Sequence, residues 1–260
     1  MRKSPCATSG IRIRWHNGRL TVRGGSIPGG ELSIRYMEAY CRSRSTDRDW
    51  NETFIGHSTC LIEAPPDERL IRLRCNIHDG TVVEHVIKVN NNEIDFRLAA
   101  INPTKNSSDN QWGQPCIDVS KATGRTQESY LPQSFIFLDG KLTRLPTRQW
   151  ARRARYTPGQ VWCPKNVDRR DVNPRPLNPQ VPSNGLIGVF SADNKMIVAT
   201  AWEPYQELFQ GVFCCIHSDF RIGGLKSGET KRIRGKIYIV DADVEVLRKR
   251  YERDFPEHIG

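Results

Sequence analysis

The chain has 260 residues, of which 39 are lysine or arginine and 29 are aspartate or glutamate, and 37% are hydrophobic. No apolar run approaches the roughly 18 residues of a transmembrane helix, and the composition fits neither a coiled coil nor a disulfide-rich miniprotein. The length and the six tryptophans favour a packed chain, so residues 1–260 are expected to form a single domain.

Most of the chain alternates apolar and polar residues with a period of two, and Gly, Pro, Asn and Asp divide the alternating segments. This pattern is typical of antiparallel sheets. The predicted strands are 11–15, 20–23, 32–40, 53–63, 70–77, 82–89, 94–102, 134–138, 187–190, 196–200, 208–217 and 231–240. Turn signals such as Asn17-Gly18 lie between them. The pattern predicts an all-β fold, a large antiparallel β-sandwich.

Two segments depart from the strand pattern. Six prolines in residues 156–184 remove backbone donors, which predicts a long proline-rich loop with no central strand. In residues 241–255, Asp243 offers a capping carboxylate, and Leu247 and Tyr251 belong to one apolar stripe. These features predict a C-terminal helix that docks on a sheet.

The positive charge is concentrated in two segments. Residues 1–24 hold six bases and no acid, and residues 144–175 hold nine bases and two acids. If the two segments meet in space, they form a surface for a polyanion. An anionic polysaccharide fits better than nucleic acid, because the basic run 148–156, in which arginines are interleaved with two aromatic residues, comes without a nucleic-acid-binding motif. Two solvated loops would give the same pattern, so that alternative stays open.

The eight cysteines show neither a CxxC pair nor metal-ligand spacing, and most have apolar neighbours. We interpret them as reduced core residues and expect no cofactor and no metal. The N-terminal segment is basic but has no apolar stretch behind it. This fits a cytoplasmic protein, or an exported one whose signal peptide has been removed. The oligomeric state stays open.

Two segments carry a family resemblance. The segment from Gln210 to Ile239, with the predicted helix after it, resembles the late strands of galactose-mutarotase-like β-supersandwich proteins. Residues 84–102 resemble a strand pair of the same fold, and the chain also resembles an uncharacterised bacterial family of proteins of this size. The turn from Lys226 to Glu229 departs from the family's PGE-like turn by having serine where proline is common. The resemblance implies a supersandwich fold with a carbohydrate-binding concave sheet face, as in mutarotases, polysaccharide lyases and glycoside hydrolase domains.

Binding of sugar rings requires flat aromatic side chains together with planar polar groups. Several tryptophans have hydrogen-bonding neighbours of this kind, and an arginine could neutralise a uronate carboxylate. The expected substrate-binding residues are Trp50, Trp112, Gln114, Trp202, His57, Arg35 and Arg97. Each tryptophan could instead be a core or loop anchor, and that alternative stays open.

The candidate acid/base residues are two histidines and two carboxylates. The expected catalytic residues are Glu203, His217, His85 and Asp49. A neutral imidazole is poised for proton transfer near physiological pH. The family resemblance implies that a Glu and a His share proton transfer at the anomeric centre, and Glu203 is the acid with the most suitable aromatic neighbours. The alternatives are structural histidines in the core and a surface glutamate before a turn.

These residues predict a carbohydrate-active enzyme that acts on glycosidic bonds by acid/base catalysis, as a glycoside hydrolase or a lyase. Hydrolysis needs two carboxyl groups placed across the bond. Elimination needs a base together with a cation beside a uronate, a role for Arg97 or Arg35. Two alternatives remain: a non-catalytic carbohydrate-binding protein of the same fold, and a basic protein that docks on polyanions.

Overall fold

The computed structural model describes residues 10–147 and 159–259, so the basic run 148–156 lies outside the described residues. In chain order the strands are β1 (Arg12–His16), β2 (Arg19–Arg23), β3 (Glu31–Arg42), β4 (Phe54–Ile55), β5 (His57–Glu63), β6 (Leu70–Ile77), β7 (Val82–Asn90), β8 (Glu93–Ile101), β9 (Asn110–Asp118), β10 (Ser134–Leu138), β11 (Lys141–Arg144), β12 (Gly159–Trp162), β13 (Ile187–Phe190), β14 (Met196–Glu203), β15 (Tyr205–Gly211), β16 (Cys215–Arg221) and β17 (Thr230–Asp241). The α-helices are α1 (Trp50–Thr53), α2 (Ser120–Thr123) and α3 (Val244–Asp254), and short 3-10 helices span Pro28–Gly30, Ser45–Asp47, Gln127–Gln133 and Pro256–His258.

Within the described ranges the strands form two antiparallel sheets. The eight-stranded sheet has the order β1-β2-β3-β9-β16-β15-β12, with β4 paired to β3. The nine-stranded sheet has the order β11-β10-β13-β14-β17-β8-β7-β6-β5. The predicted all-β sandwich with a C-terminal helix is therefore confirmed. None of the helices in the described ranges is long and apolar enough to cross a membrane.

The main core lies between the two sheets. Ile34, Ile216 and Phe220 from the eight-stranded sheet pack with Ile71 and Ile237 from the nine-stranded sheet. Because side chains alternate across a strand, the neighbours of these residues point to the outer faces. The period-two pattern therefore decides which residues fold the sandwich and which remain available on its outer surfaces.

The outer face of the nine-stranded sheet is covered by α3. Leu247 and Tyr251 of the helix pack with Tyr238 and other apolar residues of that sheet. The Asp243 carboxylate begins the helix by accepting hydrogen bonds from the backbone N–H groups of Glu245 and Val246, each at 3.0 Å. This is the capping role that its sequence position predicts.

The outer face of the eight-stranded sheet is covered by two loops. We call residues 43–53 the α1 loop and residues 163–184 the proline-rich loop. They meet at Asp171, whose Oδ1 accepts a hydrogen bond from the Arg44 N–H at 2.7 Å, and whose carbonyl accepts one from Ser45 Oγ at 2.9 Å. The two loops thus form a second layer over the sheet, with its own small apolar clusters.

Several strand predictions differ from the structure. The segment 53–63 breaks at Gly56, where the chain passes from one sheet to the other and a Cβ atom would lie 2.5 Å from His78 Nδ1. The segment 208–217 is the hairpin of β15 and β16, not one strand. Strands β9, β11 and β12 were not predicted. Strand β12 lies inside the predicted loop, but at the edge of its sheet, where nearby prolines are tolerated.

Candidate functional site

A cleft of about 960 Å³ opens on the outer face of the eight-stranded sheet. The sheet forms its floor, and the α1 loop, the proline-rich loop and the turn between β15 and β16 form its walls. A volume of this size is in the range of small-molecule and cofactor sites.

The floor consists of alternate residues of the central strands β9 and β16. Gln114 and Cys116 of β9 and Cys215 and His217 of β16 line the cleft. Between the last two, Ile216 points the other way, into the core. The apolar residues that bury the inner face therefore also fix the outward direction of these polar side chains.

His217 is only 2% exposed and is held from several sides. Its Nδ1 lies 3.1 Å from Gln114 Nε2 and 3.7 Å from Asp219 Oδ1. Its Nε2 lies 3.3 Å from Cys215 Sγ, and its ring packs against Phe209 with centroids 5.0 Å apart. The ring orientation is thus fixed, with one nitrogen toward an amide and a carboxylate and the other toward a thiol.

Two buried carboxyl groups lie behind His217. Burial raises the pKa of Glu207 well above its ordinary value, and nearby Asp219 raises it further. Burial also raises the pKa of Asp219 to about 6, although His217 opposes the shift. Burial by itself lowers the pKa of His217, but Cys116 and Asp219 outweigh it and raise the pKa well above its ordinary value. Glu207 is accordingly the protonated member, and Asp219 is the charge partner of the ring.

Aromatic side chains form much of the walls. Trp50 and Phe54 line the cleft on the α1 side. Trp50 lies over the buried Trp112, with ring centroids 6.5 Å apart. Phe213, in the turn between β15 and β16, is 56% exposed at the rim. Flat apolar surfaces with polar groups beneath them suit the faces and hydroxyls of a sugar ring.

Among the described residues, three arginines line the cleft, namely Arg19, Arg35 and Arg175. Arg35 Nη1 lies 2.5 Å from Glu38 Oε1, and Arg19 Nη1 donates to Ser33 Oγ at 2.7 Å. A guanidinium has five N–H donors. An arginine with one protein partner therefore keeps donors for a planar anion.

The carboxylates that line the cleft have local structural roles. Asp118 Oδ1 accepts hydrogen bonds from the Ser120 N–H at 2.8 Å and from Ser120 Oγ at 2.6 Å. Asp49 is the N-cap of α1 and forms a capping box with Glu52. Glu38 forms an ion pair with Arg35. Each of these three carboxylates is therefore bound to a neighbouring group of the protein.

Five residues predicted from the sequence do line the cleft. They are His217, Asp49, Trp50, Gln114 and Arg35. They come from β16, α1 with its N-cap, β9 and β3, so the fold brings together side chains from four separate parts of the chain. The role assigned to each of them remains a prediction.

The other two predicted histidines lie away from the cleft. His85 is 1% exposed and lies inside the sandwich, where its Nδ1 is 2.8 Å from Tyr36 Oη and its Nε2 is 3.1 Å from Tyr40 Oη. Burial lowers its pKa to about 3. His57 packs against Tyr40, with ring centroids 5.1 Å apart. The structure thus places His85 in the core between two tyrosines and away from the cleft, and the catalytic role expected of it stays a prediction.

Three more predicted residues belong to the nine-stranded sheet. Glu203 Oε2 lies 2.6 Å from His258 Nε2, next to α3. Arg97 is exposed and lies 3.5 Å from Asp95. Trp202 precedes Glu203 in β14 and points into the core. Trp202 and Glu203 therefore face opposite sides of this sheet, away from the cleft, and the sugar site expected around them stays a prediction.

Trp112 is on the correct face but is fully buried beneath the α1 loop, so it supports Trp50 and offers no surface to a sugar. Sequence reasoning missed most of the other residues that line the cleft, among them Cys116, Cys215, Phe209 and Arg175. A signal for one of them was present, since Cys215, His217 and Asp219 alternate along a strand and so share a face. The neighbouring strand that completes the floor gave no comparable signal.

The described bases of the two positive segments are partly neutralised by acids. Arg14 pairs with Glu68, Arg23 with Glu31 at 2.6 Å, and Arg170 with Asp168 at 2.8 Å. The pairing in this part of the chain does not favour one continuous polyanion-binding surface. The basic run 148–156 lies outside the described residues.

Comparison with known proteins gives similarity in fold. An α-N-acetylgalactosaminidase from Bifidobacterium bifidum matches with a TM-score of 0.50 and 10% identity, over 97% of this chain and 38% of that one. A galactose mutarotase related enzyme from Lactobacillus acidophilus matches with a TM-score of 0.46 and 9% identity, over 90% of this chain and 98% of that one. A galactose mutarotase-like protein from Clostridium acetobutylicum matches with a TM-score of 0.44 and 9% identity, over 91% of this chain and 100% of that one.

The two-sheet sandwich of this chain is similar in fold to galactose-mutarotase-like proteins. The resemblance predicted from the sequence is thereby confirmed as to fold. No family model matches the chain, and no curated protein matches its sequence. At identities of 9–10% the similarity extends to architecture and leaves the chemistry to be argued from the cleft itself.

Proposed function

We propose that the protein is a carbohydrate-active enzyme that cleaves glycosidic bonds of a uronate-containing glycan by β-elimination in the cleft. One observation carries the proposal: Arg35 and His217 lie on either side of Cys116 across three neighbouring strands. Arg35 is the register partner of Cys116, and the His217 and Cys116 side chains approach within 4.8 Å. A cation for the uronate carboxylate is thus close to a proton-transferring group on the floor.

The walls support a sugar ligand. Trp50 and Phe54 on one side, and Phe213 at the rim, supply apolar surface for pyranose faces. Arg19 and Arg175 add positive charge to the cleft, which suits a polymer with a carboxylate on successive units. The elongated backbone of a glycan can leave the cleft at its rim, where Phe213 is 56% exposed.

The carboxylates of the cleft favour elimination over hydrolysis. Hydrolysis requires two carboxyl groups free to act on opposite sides of the bond. Here Glu38 is paired with Arg35, Asp118 holds the turn at Ser120, and Asp49 caps α1. Elimination requires only a base and a cation, and we assign these roles to His217 in its deprotonated form and to Arg35. Because the pKa of His217 is raised, this form requires alkaline pH.

The reaction balances without an external oxidant or reductant. A base at the floor removes the proton on C5, which is acidified because the adjacent carboxylate is neutralised by Arg35. The electron pair forms the C4–C5 double bond as the bond from C4 to the leaving oxygen breaks. That oxygen takes a proton from water or from the conjugate acid of the base. The products are a new reducing end and an unsaturated uronate.

The test is an ultraviolet assay for unsaturated uronates on a panel of uronate-containing polysaccharides, with reducing ends measured in parallel. We expect both signals from the wild-type chain. Arg35→Gln should lower kcat/KM by about 100-fold or more, the effect of removing one preorganised charge-stabilising donor. Arg97→Gln is the matched control, because this exposed arginine lies on the other sheet, and it should leave the rate unchanged.

The remaining outcomes separate the alternatives. New reducing ends without ultraviolet absorbance would identify a hydrolase and refute elimination. Retention on a glycan gel with neither signal would identify a non-catalytic carbohydrate-binding protein. Equal losses in Arg35→Gln and Arg97→Gln would place the substrate outside the cleft.

A further inference from the structure

The floor of the cleft contains a group of side chains suited to a soft metal ion. Cys116 Sγ, Cys215 Sγ and a ring nitrogen of His217 all lie within 4.8 Å of one another. Tetrahedral zinc, bound at about 2.3 Å to sulfur and about 2.0 Å to nitrogen, holds its ligand atoms roughly 3.5–3.8 Å apart. The 3.3 Å separation of Cys215 Sγ and His217 Nε2 is close to that spacing.

The ligands come from a rigid part of the fold. Cys116 is on β9, and Cys215 and His217 are on β16, which pairs directly with β9 at the centre of the sheet. Both strands are anchored by the core on their inner faces. The donor atoms are therefore held near one another by regular backbone, without the ordering of a loop.

The surroundings of His217 match those of a metal-bound imidazole. Nε2 is directed at the thiol of Cys215, whereas Nδ1 lies near the Gln114 carboxamide and the Asp219 carboxylate. Metal-ligating histidines usually give their second ring nitrogen to a carboxylate or carbonyl, which fixes the ring and raises its basicity. Here the Asp219 carboxylate, 3.7 Å from Nδ1, is a partner of this kind.

The chemistry of the donors narrows the choice of metal. Two thiolates and one imidazole suit zinc, whereas magnesium and calcium prefer oxygen. Two thiolates also neutralise the charge of a divalent ion, and their two protons leave to solvent when the metal binds. All three ligands line the cleft, so the fourth position of a tetrahedral site opens toward it, as in catalytic zinc sites.

We propose that Cys116, Cys215 and His217 bind one zinc ion whose fourth position takes water or an anionic group of the ligand in the cleft. As regards mechanism, this inference rests on the proposed function and deepens it. A zinc-bound hydroxide would remove the C5 proton and become water, and the imidazole would serve as a ligand. Metal binding itself can be measured without any glycan.

The experiment uses the purified full-length chain, reduced and freed of metal with a chelator. Cobalt(II) is added as a spectroscopic substitute for zinc, and zinc affinity is measured by competition with a chromogenic chelator. We expect one equivalent of cobalt to produce a thiolate-to-metal charge-transfer band and the strong visible bands of a tetrahedral site. Zinc should then abolish both.

Cys116→Ser and Cys215→Ser should each remove the charge-transfer band or halve it. Each should also weaken zinc binding by more than ~10–100-fold, which is the effect of losing a residue that only hydrogen-bonds to a metal ligand. Cys214→Ser is the matched control. Cys214 also lines the cleft, beside Cys215, but is not a member of the three-ligand group. Its variant should keep the spectrum and the affinity.

A second measurement covers variants that fail to fold. In the wild-type chain, one equivalent of zinc should protect Cys116 and Cys215 from alkylation, as read by mass spectrometry, and leave Cys60 reactive.

Absence of the cobalt spectrum, protection of other cysteines, or loss of binding in Cys214→Ser would overturn the proposal. Zinc binding without glycan cleavage would refute the proposed function alone. Glycan cleavage by the metal-free chain would refute the metal's part in catalysis alone.

Discussion

The pH dependence of folding provides a sharp test of the core, through His85. This ring lies between Tyr36 and Tyr40 and is 1% exposed, and burial lowers its pKa from 6.5 to about 3. Between these two values the unfolded chain binds a proton at His85 and the folded chain does not. The free energy of unfolding must therefore fall as the pH falls below 6.5.

The size of the effect follows from the unfolded-state titration. In the unfolded chain His85 has its ordinary pKa of 6.5. Its protonation stabilises the unfolded chain by about 1.3 kcal/mol more at about pH 5.5 than at about pH 7. In a chain of this size the loss corresponds to roughly 3–5 °C in Tm. Other buried groups, such as Glu207, titrate in the opposite sense, so only the comparison with a variant isolates the contribution of His85.

The variant is His85→Asn, which keeps a side-chain amide near Tyr36 but cannot titrate. Urea unfolding, followed by tryptophan fluorescence, gives the free energy of unfolding of parent and variant at both pH values. The parent should lose about 1.3 kcal/mol more than the variant on acidification. His16→Gln, at the exposed end of β1, should behave as the parent does. A parent-to-variant difference that is independent of pH would refute a buried neutral His85.

Three further predictions concern packing, capping and binding. Gly235→Ala should lower the free energy of unfolding by about 1–3 kcal/mol through overpacking, because its Cβ would lie 2.3 Å from the Trp202 ring. A thermal melt measures the loss, and Gly25→Ala, which meets open space, should change the stability little. Asp243→Ala should cost about 1 kcal/mol through loss of the α3 cap, measured by urea unfolding, and Asn at that position should restore it. Trp50→Ala should weaken glycan retention about 3- to 10-fold, the equivalent of one aromatic contact, in affinity electrophoresis. No stability change in the first two, or unchanged retention in the third, would contradict the packing described.

Local patterns predicted much of the fold. The alternation in β6, β7 and β8 and the capped stripe of α3 are short-range signals, and the structure confirms them. Strand β9 was missed because Gly113 and Pro115 interrupt its pattern. It is nevertheless a central strand, and its register with β3 shifts between Cys116 and Gln114, which accommodates Pro115. Such pairing is a long-range property that no local window contains.

The candidate site was predictable only in part, for the same reason. His217 and Trp50 could be selected from their own neighbours. The convergence of Arg35, Cys116 and His217 depends on the order β3-β9-β16, in which strands distant in sequence lie side by side. For Glu203, nearness in the sequence was misleading. Its aromatic neighbour Trp202 is adjacent in the chain but lies on the other face of the strand.

The central claim is that the cleft cleaves uronate-containing glycans, and the ultraviolet assay for unsaturated uronates tests it most directly. The wild-type chain is predicted to generate the absorbance together with new reducing ends, His217→Ala to abolish both, and Arg97→Gln to retain both. Absence of the absorbance from every uronate-containing glycan offered to the folded, zinc-supplemented wild-type chain would contradict it.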